Sequence, residues 1–431
     1  MNILFIQTDQ QRRDSLPCYG NHEVRTPNVQ RLADEGIVFD NAFTPVPLCA
    51  PARASLLVGK RPIHHGMLFN CESGCVAGRD FIEPQVGFGR ILRRQGYQCA
   101  HIGKWHIGTT LTPADCCFDG VYYPRYGYPE NHSHYLGYLR RLVQPGFVLR
   151  DQRYGAGSSA KQGSLLTAVQ QGGVEASVPY YLTEQTMAAI RTAAGVGRPF
   201  FVACNFWGPH APYILPESHM HMYDPAAVTL SGASSKDLAD KPQLHSDYAR
   251  YWGVQNLDAD QWAQLVAACY GYVSLIDEQV GRMLACLDEV GAADDTAVIF
   301  STDHGGMVGS HGLMEKGPFL YDAVCRIPLI VRLPNGRGAG TRDNHIVYNM
   351  DLMPTFLELA GTDVRDDDAG GAKPGRFRQQ SRTRMLCPDG TTAGSPPTRP
   401  LGIAPAIRAS SSPPPRRSSP GPRPTNGCKA R

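Results

Sequence analysis

A chain of 431 residues exceeds what one small hydrophobic core occupies, which points to a large α/β domain with an appendage, or to two domains. Hydrophobic residues make up 42% and charged residues 19%, and a net charge of +3 is too small to imply nucleic acid or an anionic membrane as partner. Thirteen cysteines, scattered through a chain without an export signal, read as reduced and mostly buried thiols, not as a disulfide framework or a zinc site.

The first element is "NILFIQT", Asn2 to Thr8. It is a short apolar run ended by Asp9, so it reads as a buried strand and not as a secretion signal, and the protein is expected in the cytoplasm. No later apolar run approaches the roughly 18 residues that a membrane span needs. "TPNVQRLADEG" predicts a helix with Thr26 as N-cap, Pro27 at the first helical position and Gly36 as stop. A second helix is predicted from Cys49, in "PVPLCAPARASLLVG", where Pro51 suits an early position and Arg53 lies one turn on, aimed back at residue 49. Unpaired N–H groups at that helix end favour an anion and lower the pKa of a thiol. A small buried cysteine opening a core helix is the plainer reading of the same letters. His64 and His65 read as packing or loop residues, and Asn70 as a turn residue.

"QCAHI", Gln98 to Ile102, is the next strand, followed at once by "GKWH" with Lys104 and His106. The stretch Tyr122 to Arg141, rich in tyrosine, histidine and arginine, is a candidate pocket rim for a polar or sugar-like group. "FFVACNF", Phe200 to Phe206, is a strand leading to "GPHAPY" with His210. "YGYVSLIDEQVGRMLACLDEVG" carries apolar residues at three- and four-residue spacing up to Gly291 and predicts a helix. "AVIFST", Ala297 to Thr302, leads into Asp303 and His304; "PLIVRL", Pro328 to Leu333, is a further strand; and "MDLMPTFLELAG" predicts a helix capped by Asp351 and stopped by Gly361. Strands alternating with helices imply a mostly parallel sheet sandwiched by helices, in which ligands gather at the carboxyl ends of the strands. Asp9 and Asp303 both sit at such ends.

Residues 1–362 form the expected catalytic domain, and residues 363–431 a low-complexity tail of proline, arginine and serine that cannot repay the entropy of ordering. A linker-like tail and a reading-frame change that replaced a C-terminal subdomain would both give this composition.

The run C-x-P-x-R at Cys49, Pro51 and Arg53, followed by "ASLLVGKRP", resembles the signature of type I sulfatases of the alkaline phosphatase superfamily. In that family the cysteine is oxidised to formylglycine (3-oxoalanine) by a separate formylglycine-generating enzyme before folding. The resemblance implies an alkaline phosphatase-like α/β fold and an arylsulfatase-like sulfuric ester hydrolase acting on a small-molecule or sugar sulfate ester. It also implies a small C-terminal antiparallel sheet that nothing after Gly361 supplies. By resemblance, Asp9, Gln10, Asp303 and His304, with residue 49, hold one divalent cation. Carboxylate and amide oxygens favour Ca²⁺, with Mg²⁺ as an alternative, and the imidazole at 304 brings in Mn²⁺. Many sulfatases have aspartate where Gln10 stands and asparagine where His304 stands, so the pattern is closer to the choline sulfatase and phosphonate monoester hydrolase branch. Lys104 and Lys316 would grip the oxygens of the transferred group, and Arg53 would hold the aldehyde hydrate. His106 would bond its second hydroxyl, His210 would protonate the leaving alcohol, and Asn70 would face substrate. His311 matches the family wording and is expected to be structural. The alternatives are hydrolysis of phosphonate monoesters or phosphodiesters at the same site, an inactive truncated relative, and a thiol hydrolase using unmodified Cys49. Oligomeric state is open.

Overall fold

A computed structural model describes residues 1–362 except 76, 124–131, 144–145, 157–163, 231–237 and 239. The tail predicted over 363–431 therefore lies outside the described residues, as does the middle of the candidate rim. Its strands are β1 (Asn2–Thr8), β2 (Ile37–Phe43), β3 (Gln98–Lys104), β4 (Tyr122–Tyr123), β5 (Leu149–Tyr154), β6 (Leu165–Gln170), β7 (Phe200–Asn205), β8 (Tyr213–Pro216), β9 (Thr296–Thr302), β10 (Leu329–Arg332) and β11 (Thr341–Tyr348).

Eight strands form one sheet in the order β11-β2-β10-β9-β1-β7-β3-β4. Every neighbouring pair is parallel except those made by β10, which runs antiparallel to both β9 and β2. The fold is thus the mostly parallel α/β sheet expected. The five predicted strands are all in it, with ends displaced by at most two residues. Strands β2 and β11 were missed because neither reads as an apolar run. The "DN" in β2 and the charged letters of β11 belong to exposed or half-buried positions near the sheet's edge. Strands β5, β6 and β8 make a separate three-stranded sheet.

Period-two alternation in the central strands divides the interior into two cores. Leu4, Ile6, Val202, Val298 and Phe300 face one, with the long helices Val178–Val196 and Ala259–Glu289. Ile3, Phe5, Phe201, Ala203, Ile299 and Val331 face the other, with Leu56 and Leu57 of the Cys49–Val58 helix and Phe356 of the Leu352–Leu359 helix. Phe5, Phe88, Phe201 and Phe356 meet there with ring centroids about 5 Å apart, an arrangement that adds edge-to-face attraction to apolar burial. No helix of the described residues is long and apolar enough to cross a membrane.

Helix ends show where local signals fail. The predicted helix after Thr26 spans Pro27–Asp34, but the threonine hydroxyl makes no cap bond. Asp277, from the middle of the Ala259–Glu289 helix, does that work: its carboxylate accepts from Asn28 N (3.1 Å), Asn28 Nδ2 (2.9 Å) and Val29 N (2.7 Å). Burial pushes its pKa up to about 6 against those bonds. Asp277→Ala is expected to destabilise the domain by about 2–3 kcal/mol, because buried donors lose a shared acceptor. Thermal unfolding checks this, and an unchanged midpoint would contradict it. Asp351 likewise departs from its prediction: its carboxylate accepts from Tyr348 N (2.8 Å), behind it, and caps nothing ahead.

Candidate active site

Parallel neighbours end together, so the register of the central strands brings functional residues to one edge. Thr8 pairs with Thr302 across β1 and β9, which sets Asp9 beside Asp303 as both chains leave the sheet. Lys104 is the last residue of β3, and His210 follows β7 on the next connection. Cys49 enters from the helix after β2 and is fully buried at its first turn. That helix has no side-chain cap from Leu48. Instead Asn70 reaches across and accepts from Ala50 N at 3.1 Å. Its side-chain carbonyl is therefore committed to the helix end that presents Cys49, a job the resemblance did not assign to it.

Asp9, Cys49, Asp303 and His304 each bring a ligand atom within 4.8 Å of the others, and all four are buried. His304 Nδ1 donates to Gly305 O (2.8 Å), so Nε2 is the nitrogen turned inward; it lies 3.1 Å from Cys49 Sγ. Asp303 Oδ1 accepts from the backbone N–H groups of Gln10 (3.2 Å) and His304 (2.9 Å). Gln10 adopts a left-handed backbone, φ 61°, and its amide oxygen accepts from Lys316 Nζ at 3.0 Å. Two carboxylates and an imidazole nitrogen beside the Cys49 sulfur suit a divalent cation.

The Arg53 guanidinium donates to Asp303 Oδ2 (2.8 Å), Asp9 Oδ2 (2.9 Å) and Lys104 O (3.1 Å), and so braces the two acidic residues beside residue 49. Two adjacent buried carboxylates repel, and a planar fork that bonds both is the strongest local answer. Lys104 Nζ lies 2.7 Å from Asp9 Oδ2 and 5.5 Å from the centre of the Trp207 ring. His101 accepts from Asn205 Nδ2 (3.3 Å) and donates to Lys104 O (3.1 Å), and burial pushes its pKa down to about 3, so it is a neutral brace.

On the far side His210 donates from Nδ1 to Ala211 O (2.6 Å), which points Nε2 at Lys316 and at Glu315 Oε2, 3.3 Å away. Glu315 also lies 3.1 Å from Lys316 Nζ, is buried and has a left-handed backbone, φ 64°. His106, buried and also left-handed at φ 52°, meets Glu72 Oε2 through Nε2 at 2.9 Å. Neither glutamate was anticipated. Glu315 had a faint signal in "MEKG", an acid directly beside the expected lysine. Glu72 had none.

Burial would raise the pKa of Cys49, yet Lys104, Lys316 and His304, with a hydrogen bond to His106, pull it well below the ordinary thiol value. Cys71, Cys99, Cys116 and Cys204, where burial outweighs any neighbouring charge, are pushed up to about 12. Burial and the Cys49 charge push Asp9 up, but Lys104 and Arg53 win and hold it far below the carboxylate range. Asp303 goes the other way, raised by burial and by Asp9. His304, opposed by burial but drawn by Asp303 and Cys49, rises to about 9. The charge balance at residue 49 thus favours an anionic atom there. All eleven cysteines among the described residues are free. His65 bonds Ser55 Oγ (2.9 Å) and Met67 N (3.2 Å), and His311 stacks on Tyr321 at 4.3 Å.

A family model described as Sulfatase matches residues 1–362. The chain is 30% identical over 374 residues to the uncharacterized sulfatase YidJ of Escherichia coli, covering 83% of this chain and 67% of that protein. It is 26% identical over 437 residues to the N-acetylglucosamine-6-O-sulfatase of Bacteroides thetaiotaomicron, covering 89% and 72%. Among solved structures, the phosphonate monoester hydrolase of Agrobacterium radiobacter matches in fold with a TM-score of 0.68 at 24% identity, over 84% of this chain and 73% of that one.

Proposed function

The chain belongs to the sulfatase family, a family of sulfuric ester hydrolases, and from that premise we propose that it cleaves a sulfate monoester with a formylglycine hydrate made from Cys49, assisted by one divalent cation. The observation that carries this reading is the convergence on Cys49 Sγ, which stands where the attacking hydrate oxygen would be, of a metal-ligand set and two buried lysines. Asp9, Asp303, His304 and Gln10 would hold Ca²⁺, Mg²⁺ or Mn²⁺, and the donor chemistry fits.

When bound, the cation withdraws charge from the ester oxygens, and the hydrated aldehyde offers two hydroxyls on one carbon, one to attack sulfur and one whose deprotonation lets sulfate leave. The remaining work falls to the chain's own side chains. Lys104 and Lys316 offset the charge on the equatorial oxygens. His210 keeps Nδ1 on Ala211 O and gives the proton on Nε2 to the departing alcohol oxygen, with Glu315 Oε2 beside that nitrogen at 3.3 Å. His106 receives the proton of the second hydroxyl. Arg53 holds both metal carboxylates in place.

The sugar sulfatase among the relatives supports a sugar or small-molecule sulfate as substrate. The free thiols support a reducing compartment such as the cytoplasm. Parallel kinetics on 4-nitrophenyl sulfate and a 4-nitrophenyl phosphonate monoester test the assignment. The sulfate should give the higher kcat/KM, and a large preference for the phosphonate would overturn it in favour of the second ester class. His210→Asn is expected to slow an alkyl sulfate by about 10²–10³-fold and 4-nitrophenyl sulfate far less, since the nitrophenolate leaves without a proton. Equal losses on both esters would contradict its role as acid.

A further inference from the structure

Resting on that reading for the role of Lys316, we propose that Arg12 is a positioning residue: it clamps the loop 307–315 and so holds Lys316 at the oxygens of the transferred group. Arg12 lies just beyond Gln10 on the stretch that leaves β1, and its side chain is only 11% exposed. Its Nε and Nη2 donate to the two oxygens of Asp14 (2.7 and 2.6 Å), which fixes the plane of the guanidinium. Nη1 is thereby turned to the loop after β9, where it donates to Met307 O (2.6 Å) and Ser310 Oγ (2.6 Å), with Gly306 O at 3.5 Å.

The loop needs such a clamp because its backbone is strained. Val308 (φ 40°), His311 (φ 55°) and Glu315 (φ 64°) are all left-handed. For a β-branched residue such as Val308 that conformation is a steric outlier, kept only where the surroundings impose it. Met307, Ser310 and Glu315 are buried, so their backbone groups have to find partners inside the protein. Met307 joins the two sides: its carbonyl accepts from Arg12, and its N–H donates to Glu315 O at 2.6 Å, closing the loop at its base. Lys316 follows directly and donates from Nζ to Gln10 Oε1 (3.0 Å). These contacts form a closed circuit that runs from Gln10 along the chain to Arg12, across to Met307 and Glu315, on to Lys316, and back to Gln10. There is no slack in it, since a Cβ on Gly306 would lie 2.8 Å from Gln10 Cγ.

Without the guanidinium, the strain at Val308 and Glu315 is opposed by fewer bonds, and the base of the loop loosens at Met307. Lys316 then keeps its charge but loses its aim. Misplacing a group that meets the transition state by about 1 Å costs about 10²-fold in rate, which sets the scale of the effect. Arg12, Asp14 and Val308 also line a cavity of about 360 Å³ together with the exposed His22. An alanine at position 12 leaves the space of the guanidinium joined to that cavity, so a free guanidinium ion can enter and meet the same acceptors.

The test is a double-mutant cycle between Arg12→Ala and Lys316→Met in the full chain, read by kcat/KM on 4-nitrophenyl sulfate and by hydrogen exchange of the peptide spanning 305–317. Arg12→Ala alone should lower kcat/KM by about 10–100-fold, and in an enzyme already carrying Lys316→Met it should cost less than about threefold, because the group it positions is gone. Backbone exchange over 307–315 should quicken at least about tenfold in Arg12→Ala, while peptides from β1 and β9 exchange as in the native enzyme. Millimolar guanidinium should restore part of the rate and slow the exchange again, whereas methylammonium, a point charge without the planar fork, should do neither. Ser310→Ala removes one acceptor of the clamp and should show the same changes in milder form, which keeps the proposal testable if Arg12→Ala does not fold. Equal losses from Arg12→Ala with and without Lys316, or unchanged exchange over 307–315, would overturn the proposal. If the native enzyme turns over no ester, the functional reading fails, and the exchange measurements alone decide whether Arg12 clamps the loop.

Discussion

Replacing Cys49 with alanine is expected to abolish turnover, by more than about 10³-fold in kcat, because among the described residues it is the side chain at the convergence point that would supply the nucleophile. Three features focus the prediction on this residue. Cys49 is the buried cysteine whose ionisation is pulled down by surrounding cations, whereas burial is the largest influence driving Cys71, Cys99, Cys116 and Cys204 the opposite way. It sits at the first turn of a helix whose N–H end is capped by Asn70, so its position does not depend on its own side chain. The truncation removes one atom and leaves the Arg53 bridges intact, so the thermal midpoint should move by only a few degrees. Cys49→Ser should be as inactive in steady state and release at most one equivalent of alcohol per chain, since a serine sulfate has no second hydroxyl with which to expel sulfate. Sustained turnover by either variant would remove Cys49 from the chemistry and favour a different nucleophile.

Removal of divalent cations carries the second large effect. A chelated enzyme is expected to lose at least about 10²-fold in kcat/KM and to recover it on adding Ca²⁺, Mg²⁺ or Mn²⁺, with the best of the three identifying the resident ion. Asp303→Ala should be equally slow and should not recover with any of them. Asp303 also anchors Arg53 through a buried 2.8 Å bridge, so this variant loses stability as well, about 3 kcal/mol for a buried pair broken on one side. Asp303→Asn keeps the shape and an acceptor oxygen, and separates the two losses: it should stay folded and still fail to respond to metal at ordinary concentrations. Full activity in an enzyme shown by elemental analysis to hold no divalent metal would contradict the metal's part in the account.

Much of the scaffold was legible from the letters because apolar strands buried on both faces are short, continuous and followed directly by polar residues. β1 with Asp9 and β9 with Asp303 are of this kind, and both acidic residues stand at the sheet edge where that pattern put them. The edge was not legible, since β2 and β11 carry polar residues on half-buried or exposed positions. Nor were contacts made across long sequence distances. Asp277 caps a helix some 250 positions away, which no local cap signal at Thr26 could have foretold. Arg53 was placed on the correct turn, but its partners could not be read from helix spacing, because the carboxylates it joins directly follow two strands far away in sequence. The positive φ angles of Gln10, His106 and Glu315 aim three side chains of the site, and they fall on residue types for which the sequence gives no reason to expect them.

The central claim is that residue 49 is an aldehyde in the active protein, and mass spectrometry of the proteolytic peptide containing it is the most direct test. Enzyme produced together with a formylglycine-generating enzyme should yield a peptide lighter than the thiol form by about 18 Da, the difference between CH₂SH and CHO, and specific activity should rise in proportion to that fraction. A preparation that hydrolyses sulfate esters at full rate while every copy of the peptide retains the mass of the unmodified thiol would contradict it.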